Sequence, residues 1–139
     1  MSQENEELSQ NWGEAFNRRD FDAIRRLNHP QISWRTAVED PDATTHHGRE
    51  AVQRYLEDFI EALPLTAETQ ERFELPDGRV FTTVRFVGES ASGVPIDYPL
   101  TTITTVEQGM VIHVEEYRDR AEALEAVGLS EQDAHADSS

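Results

Sequence analysis

Cysteine is absent from the 139 residues, and so is lysine. Without thiols the chain can form no disulfide, no thiolate metal site and no cysteine nucleophile. Its 12 basic side chains are all arginines, set against 28 acidic ones, for a formal net charge of −16. Nucleic acids and anionic membrane surfaces need a cationic footprint, so this balance excludes both as partners. The lysine-free, acidic composition has two readings, GC-rich coding or adaptation to salt that screens self-repulsion. No apolar run approaches the roughly 20 residues of a membrane span. The opening MSQENEELSQ is polar and acidic, the reverse of a signal or transit peptide. Also missing are a glycine-rich phosphate loop, a Ser-His-Asp arrangement and metal-ligand spacing. His46 and His47 are adjacent, point to different sides and make a poor pair of metal ligands. The expectation is an acidic cytoplasmic domain with no metal and no cofactor.

The residues present alternate between two periods. Leu8, Trp12, Ala15 and Phe16 fall at helical spacing, so about residues 4–18 read as an amphipathic helix. Asp20 reads as the N-cap of a short helix carrying Phe21, Ile24 and Leu27. Pro30 ends that helix, and Ile32–Thr36 has strand character. His47-Gly48-Arg49-Glu50 opens a third helix with Val52, Tyr55, Leu56, Phe59, Ile60 and Leu63 on its inner face, His47 capping it or lining a pocket mouth; Pro64 stops it. Beyond it the period becomes two. Strands are expected near residues 66–75, 79–87, 96–106 and 110–117, with turns at Pro76-Asp77-Gly78 and Glu107-Gln108-Gly109. Asp119 with Glu122 resembles a capping box for a last helix that Gly128 terminates. The order is α-α-β-α-β-β-β-β-α, an α+β domain over residues 1–129. Residues 130–139 have no apolar periodicity and read as a disordered acidic tail.

Five segments carry a family resemblance: SQENEE at the start, AFNRRDFDAI (15–24), SWR (33–35), HGREAVQRYL (47–56) and EEYRDRAEALEAVGL (115–129). From Ser2 to about Ser130 the chain resembles the SnoaL-like group of the NTF2-like superfamily, relatives of nuclear transport factor 2, ketosteroid isomerase, polyketide cyclase and limonene epoxide hydrolase. The resemblance implies a curved antiparallel sheet wrapped on helices around a cone-shaped apolar pocket, and a homodimer through the sheet's outer face. Alternation in the last two strands offers Ile103, Val111 and His113 for that contact, an apolar set for a solvated face.

The catalytic positions of these relatives carry over unevenly. Against ketosteroid isomerase, the base position falls on Thr36, the tyrosine on Trp12 and the oxyanion aspartate near Thr101. A threonine hydroxyl does not exchange a proton near neutral pH, and an indole donates without accepting. Against limonene epoxide hydrolase, the arginine falls on Arg85 and the last aspartate on Glu116, while Val87 replaces the other carboxylate and Trp34 and Thr36 replace the tyrosine and asparagine. The resemblance thus leaves Arg85 and Glu116 as the candidate catalytic pair, inside a pocket of Trp12, Trp34, Thr36, Tyr55, Val87, Tyr98, Leu100 and Val114. Glu116 could be a general base beside the guanidinium, or the two could be a satisfied structural pair. Two functions follow: a cofactor-free acid–base enzyme (isomerase, cyclase or hydrolase type) on a small apolar molecule, or a non-catalytic ligand-binding or dimerisation module.

Overall fold

The computed structural model describes residues 3–37 and 39–131. Helix α1 (Gln3–Arg18) buries Leu8, Ala15 and Phe16 along one stripe. The Asp20 carboxylate accepts a 3.0 Å bond from Ala23 N and opens α2 (Phe21–Leu27), which buries Ile24 completely. The chain then enters β1 (Asn28–Arg35) without a break. Pro30 therefore lies inside an extended segment rather than ending a helix.

A short strand, β2 (Thr45–His47), returns antiparallel to β1, so His47 belongs to a strand and does not open the third helix. It precedes α3 (Arg49–Ala62), whose N-cap is Gly48 at φ +91° with no side-chain cap, so His47 does not cap this helix. Val52, Leu56 and Ile60 of α3 are buried. Four long strands follow: β3 (Leu65–Glu74), β4 (Val80–Glu89), β5 (Pro95–Glu107) and β6 (Met110–Tyr117). The β5–β6 turn has positive φ at both Gln108 and Gly109, as a two-residue hairpin with the right twist requires. Helix α4 (Arg120–Ala126) closes the described chain, capped by an Asp119 carboxylate that accepts from Ala121 N at 2.9 Å. Glu39, from the loop after β1, accepts from the backbone N–H groups of Arg118 and Asp119 at 3.0 and 2.8 Å. Of the anticipated tail, Ser130 and Glu131 are described, and Glu131 forms an ion pair with Arg120. Residues 132–139 lie outside the described part.

The architecture is an α+β, NTF2-like cone, with one difference from the wholly antiparallel expectation. The six strands run in the order β2-β1-β6-β5-β4-β3, and β1 pairs parallel with β6. On the concave face, the apolar residues of α1, α2 and α3 close on Ile32, Trp34, Phe86, Leu100, Val111 and Val114. The convex face has its own smaller cluster, in which Phe73, Leu75, Phe81, Ile103 and Tyr117 pack with Ala123 and Leu124 of α4.

Two register shifts decide which side chains face the cone. In β3 the pairing slips between Thr69 and Glu71, so Thr69 and Arg72 both face the concave side although they stand an odd three positions apart. In β6 the slip next to Thr105 and Val106 does the same for Val111 and Val114. The trio expected on the outer face is accordingly split: Ile103 lies on that face but is buried under α4, Val111 lines the cavity, and His113 stays outside, 2.5 Å from Ser33 Oγ.

Candidate functional site

A cavity of about 340 Å³ opens between α1, α3 and the concave sheet. That volume lies at the small end of the range for small-molecule sites. Trp12, Trp34, Tyr98, Leu100, Val114 and Glu116, all expected there, line it. Phe16, Leu56 and Phe59 from the helices and Phe86 from β4 complete its apolar wall. Trp12 stands 5.5 Å from Trp34 between ring centroids and donates its indole N–H to Asn28 Oδ1 at 2.9 Å. The tryptophans thus frame the space and do not fill it.

Glu116 is only 8% exposed. Its Oε2 accepts from Trp34 Nε1 at 2.6 Å and from Tyr55 Oη at 3.0 Å. Both donors are neutral, and no ion pair to this carboxylate exists among the described residues. Burial pushes the Glu116 carboxyl above the ordinary glutamate value of 4.5, against the lowering effect of Trp34, Tyr55, the Ala37 backbone N–H and the more distant Arg118. Tyr55 does not line the cavity; it supports Glu116 from behind, with its own ring stacked on His46 at 4.5 Å. Burial, then the Glu116 charge, pushes both Tyr55 and Tyr98 upward, so both phenols stay protonated.

Besides Tyr55, three expected members are elsewhere. Arg85 has a side chain 46% exposed on the convex face and is bound through Nε and an Nη to both oxygens of Asp97. Val87 shares that face. The reason is the pleat: Val84 and Phe86 face the cavity, so their odd-numbered neighbours cannot, and gapless counting from distant relatives missed by one residue. Thr36 is tied to Thr44 through both its hydroxyl and its backbone N–H and holds the loop after β1. Thr101 also faces outward, buried 3.2 Å from Thr83. The pair Arg85–Glu116 does not exist.

A cation missed in the sequence does line the cavity. Arg72 of β3 is half-buried there and donates from Nε to Ser9 Oγ at 3.1 Å and from Nη2 to Thr69 Oγ1 at 3.5 Å. Burial pulls its pKa below the usual guanidinium value, while Glu6 and Glu14 oppose that shift from a distance. The only sequence signal for it was an arginine in a weakly alternating strand, and the β3 register shift inverts even that. Among the described residues no group of three His, Asp or Glu side chains is placed to hold a metal ion. None of the described helices is long and apolar enough to cross a membrane.

The SnoaL-like domain model matches residues 10–114. A protein encoded on a soil-derived mobile gene cassette superposes with a TM-score of 0.73 at 25% identity, over 82% of this chain and 88% of its own. A Mycobacterium tuberculosis protein solved in complex with estradiol-17beta-hemisuccinate gives a TM-score of 0.73 at 18% identity, over 85% and 95% of the two chains. A protein of ketosteroid isomerase-like fold from Catenulispora acidiphila, in complex with trimethylamine, gives 0.69 at 16% identity, over 88% and 93%. No curated protein sequence matches the chain.

Proposed function

The chain belongs to the SnoaL-like domain family, and from that premise we propose that it is a cytoplasmic, cofactor-free acid–base enzyme acting on a small, largely apolar molecule in the cone. One observation carries the reading: Glu116 is a buried carboxylate lining an open cavity, held by neutral donors, two of them on Oε2, and not paired with a cation among the described residues. A structural carboxylate in this setting would be expected to have a cationic partner. A carboxyl raised toward neutral pH by burial is better matched to reversible proton transfer than an ordinary glutamate. Trp34 and Tyr55 fix one oxygen, which orients the group and keeps its lone pairs aimed. In this reading Glu116 takes a proton from a carbon next to a carbonyl, and the neutral Tyr98 hydroxyl donates to the oxygen on which charge develops. Isomerisation and ring closure can both begin from such a step, whereas in hydrolysis Glu116 takes its proton from the attacking water.

The test is deuterium uptake from D₂O into 2-tetralone, a small apolar ketone, followed by NMR. The protein should accelerate exchange over buffer, and Glu116→Gln should remove the acceleration. Exchange that is no faster than in buffer, or that survives Glu116→Gln, would leave the second reading, a non-catalytic ligand-binding module. That alternative draws support from the missing second carboxylate, since neither Val87 nor Thr36 supplies one. The reading also includes a homodimer through the outer sheet face. With Ile103 and Val111 withdrawn, that contact would be polar, over Ser33, His113 and the Arg85–Asp97 pair, and a monomer by light scattering at micromolar concentration would refute it.

A further inference from the structure

The strand registers place one polar row across the concave face. Arg72 pairs with Thr82, Thr82 with Thr102, and Thr102 with Glu116, and all four side chains line the same cavity. The row crosses four strands, so its ends lie about 14 Å apart at the backbone, at about 4.8 Å per strand. The neighbouring row of Val84 and Leu100 is apolar, as are Phe86 and Tyr98 beyond it apart from the phenol. Ser9 of α1 reaches onto the cationic end, 3.1 Å from Arg72 Nε and 3.5 Å from the Thr82 hydroxyl.

What Arg72 lacks is an anion. Its two side-chain hydrogen bonds go to neutral hydroxyls, and a guanidinium has five donors to place. Glu14, which also lines the cavity, has its Oε2 bound to Gln10 Nε2 at 3.2 Å. Glu6 accepts from the Glu74 backbone N–H at 3.1 Å. Neither forms an ion pair with Arg72 among the described residues. Six other arginines do find carboxylates: Arg18, Arg25, Arg79, Arg85, Arg118 and Arg120. The other five arginines without a carboxylate among the described residues lie away from the cavity lining, so Arg72 is the unmatched cation that faces ligand space. The surroundings keep space beside it: Gly13, in the interior of α1, lines the cavity, and a Cβ there would stand 3.7 Å from Arg72 Nη2. A glycine inside a helix is destabilising relative to alanine.

We infer that the cone takes a small organic anion, a carboxylate or comparable oxyanion on an apolar ring framework, with its charged group on Arg72 and Ser9 and its reacting carbon toward Glu116. This rests on the acid–base reading only for the orientation toward Glu116. The anion seat itself stands on Arg72. A guanidinium in a partly desolvated wall binds a carboxylate through charge-assisted, preferably bidentate, hydrogen bonds. Fixing the charged end at one end of the polar row sets which carbon meets the base at the other.

The test is calorimetric binding of naphthalene-2-carboxylate and its neutral isostere naphthalene-2-carboxamide to the full-length protein at neutral pH. The carboxylate should bind at least about tenfold tighter. Arg72→Gln should erase that preference while leaving carboxamide affinity within about threefold, and Arg72→Lys should restore part of it. Glu116→Gln should leave the preference intact, since it changes the other end of the row. Equal affinities in the unsubstituted protein, or a preference that survives Arg72→Gln, would overturn the anion seat and leave the Glu116 chemistry standing. A kept preference combined with no Glu116-dependent deuterium exchange would support the seat and sink the catalytic reading. Binding of neither compound would overturn both.

Discussion

The two faces of the sheet handle charge in opposite ways, and Glu71 and Glu116 show it most clearly. Glu71, on the convex side of β3, accepts from Arg120 through both carboxylate oxygens and from the Thr83 hydroxyl at 3.0 Å. Arg120 holds its carboxyl below the ordinary 4.5, outweighing a smaller opposing effect of burial. Glu116, on the concave side of β6, has only neutral donors, and burial carries it above 4.5. The arginines divide likewise: Arg85 and Arg120 outside are matched, whereas Arg72 inside rests on hydroxyls. The outer pairs are matched within the fold, and the inner charges have only neutral partners among the described residues.

The sharpest break of this comparison is chemical. Glu116→Gln should lower exchange catalysis by at least about a hundredfold, the usual scale for a general base, while the protein still folds. Glutamine keeps an oxygen to accept from Trp34 and Tyr55, so the measurement separates the proton-transfer role from the structural one. Next in size is stability. Glu71→Gln should cost about 2 kcal/mol, as expected for losing hydrogen bonds to a charged group, read as a lowered urea midpoint with unchanged slope. Glu116→Gln should cost much less at pH 7 and could raise the midpoint.

The same contrast has a pH signature of opposite sign. Glu71 titrates lower in the folded state than in the unfolded one, so its contribution is complete above about pH 4.5 and is lost as pH falls through its lowered pKa. Glu116 titrates higher when folded, so it favours the fold only where the folded state holds the extra proton. That contribution declines as pH rises above 4.5 through the raised pKa. The stability difference between Glu71→Gln and the unsubstituted protein should therefore shrink in acid. For Glu116→Gln, the variant should gain on the unsubstituted protein between acid and neutral pH. The smallest expected effect belongs to Arg85→Ala. Its pair with Asp97 is exposed and screened by solvent, so the change should leave the urea midpoint, ligand binding and exchange almost untouched. A loss of function there would restore the arginine that the strand pleat has placed outside.

Much of this was legible in the chain. The helical stripes, the Asp20 and Asp119 caps and the two tight turns depend on local chemistry and fall where the residues indicate. The family resemblance supplied the cone and, with it, Trp12, Trp34, Tyr98, Leu100, Val114 and Glu116 on its inner wall. What failed was parity. Strand faces alternate every residue, so gapless transfer from distant relatives turned Arg85 and Val87 inward by an offset of one. The register shift after Thr69 then hid Arg72, and the one beside Val106 moved Val111 to the inside. Such slips are set by how neighbouring strands meet across the sheet, which no short stretch of sequence encodes.

The central claim is that Glu116 is a carboxylate without a cation and Glu71 one with it. Side-chain carboxyl ¹³C shifts, assigned by Glu116→Gln and Glu71→Gln and followed from acid to neutral pH, test both in one sample. The account predicts that Glu116 titrates above 4.5 and Glu71 below it. Glu116 titrating at or below Glu71 would contradict it.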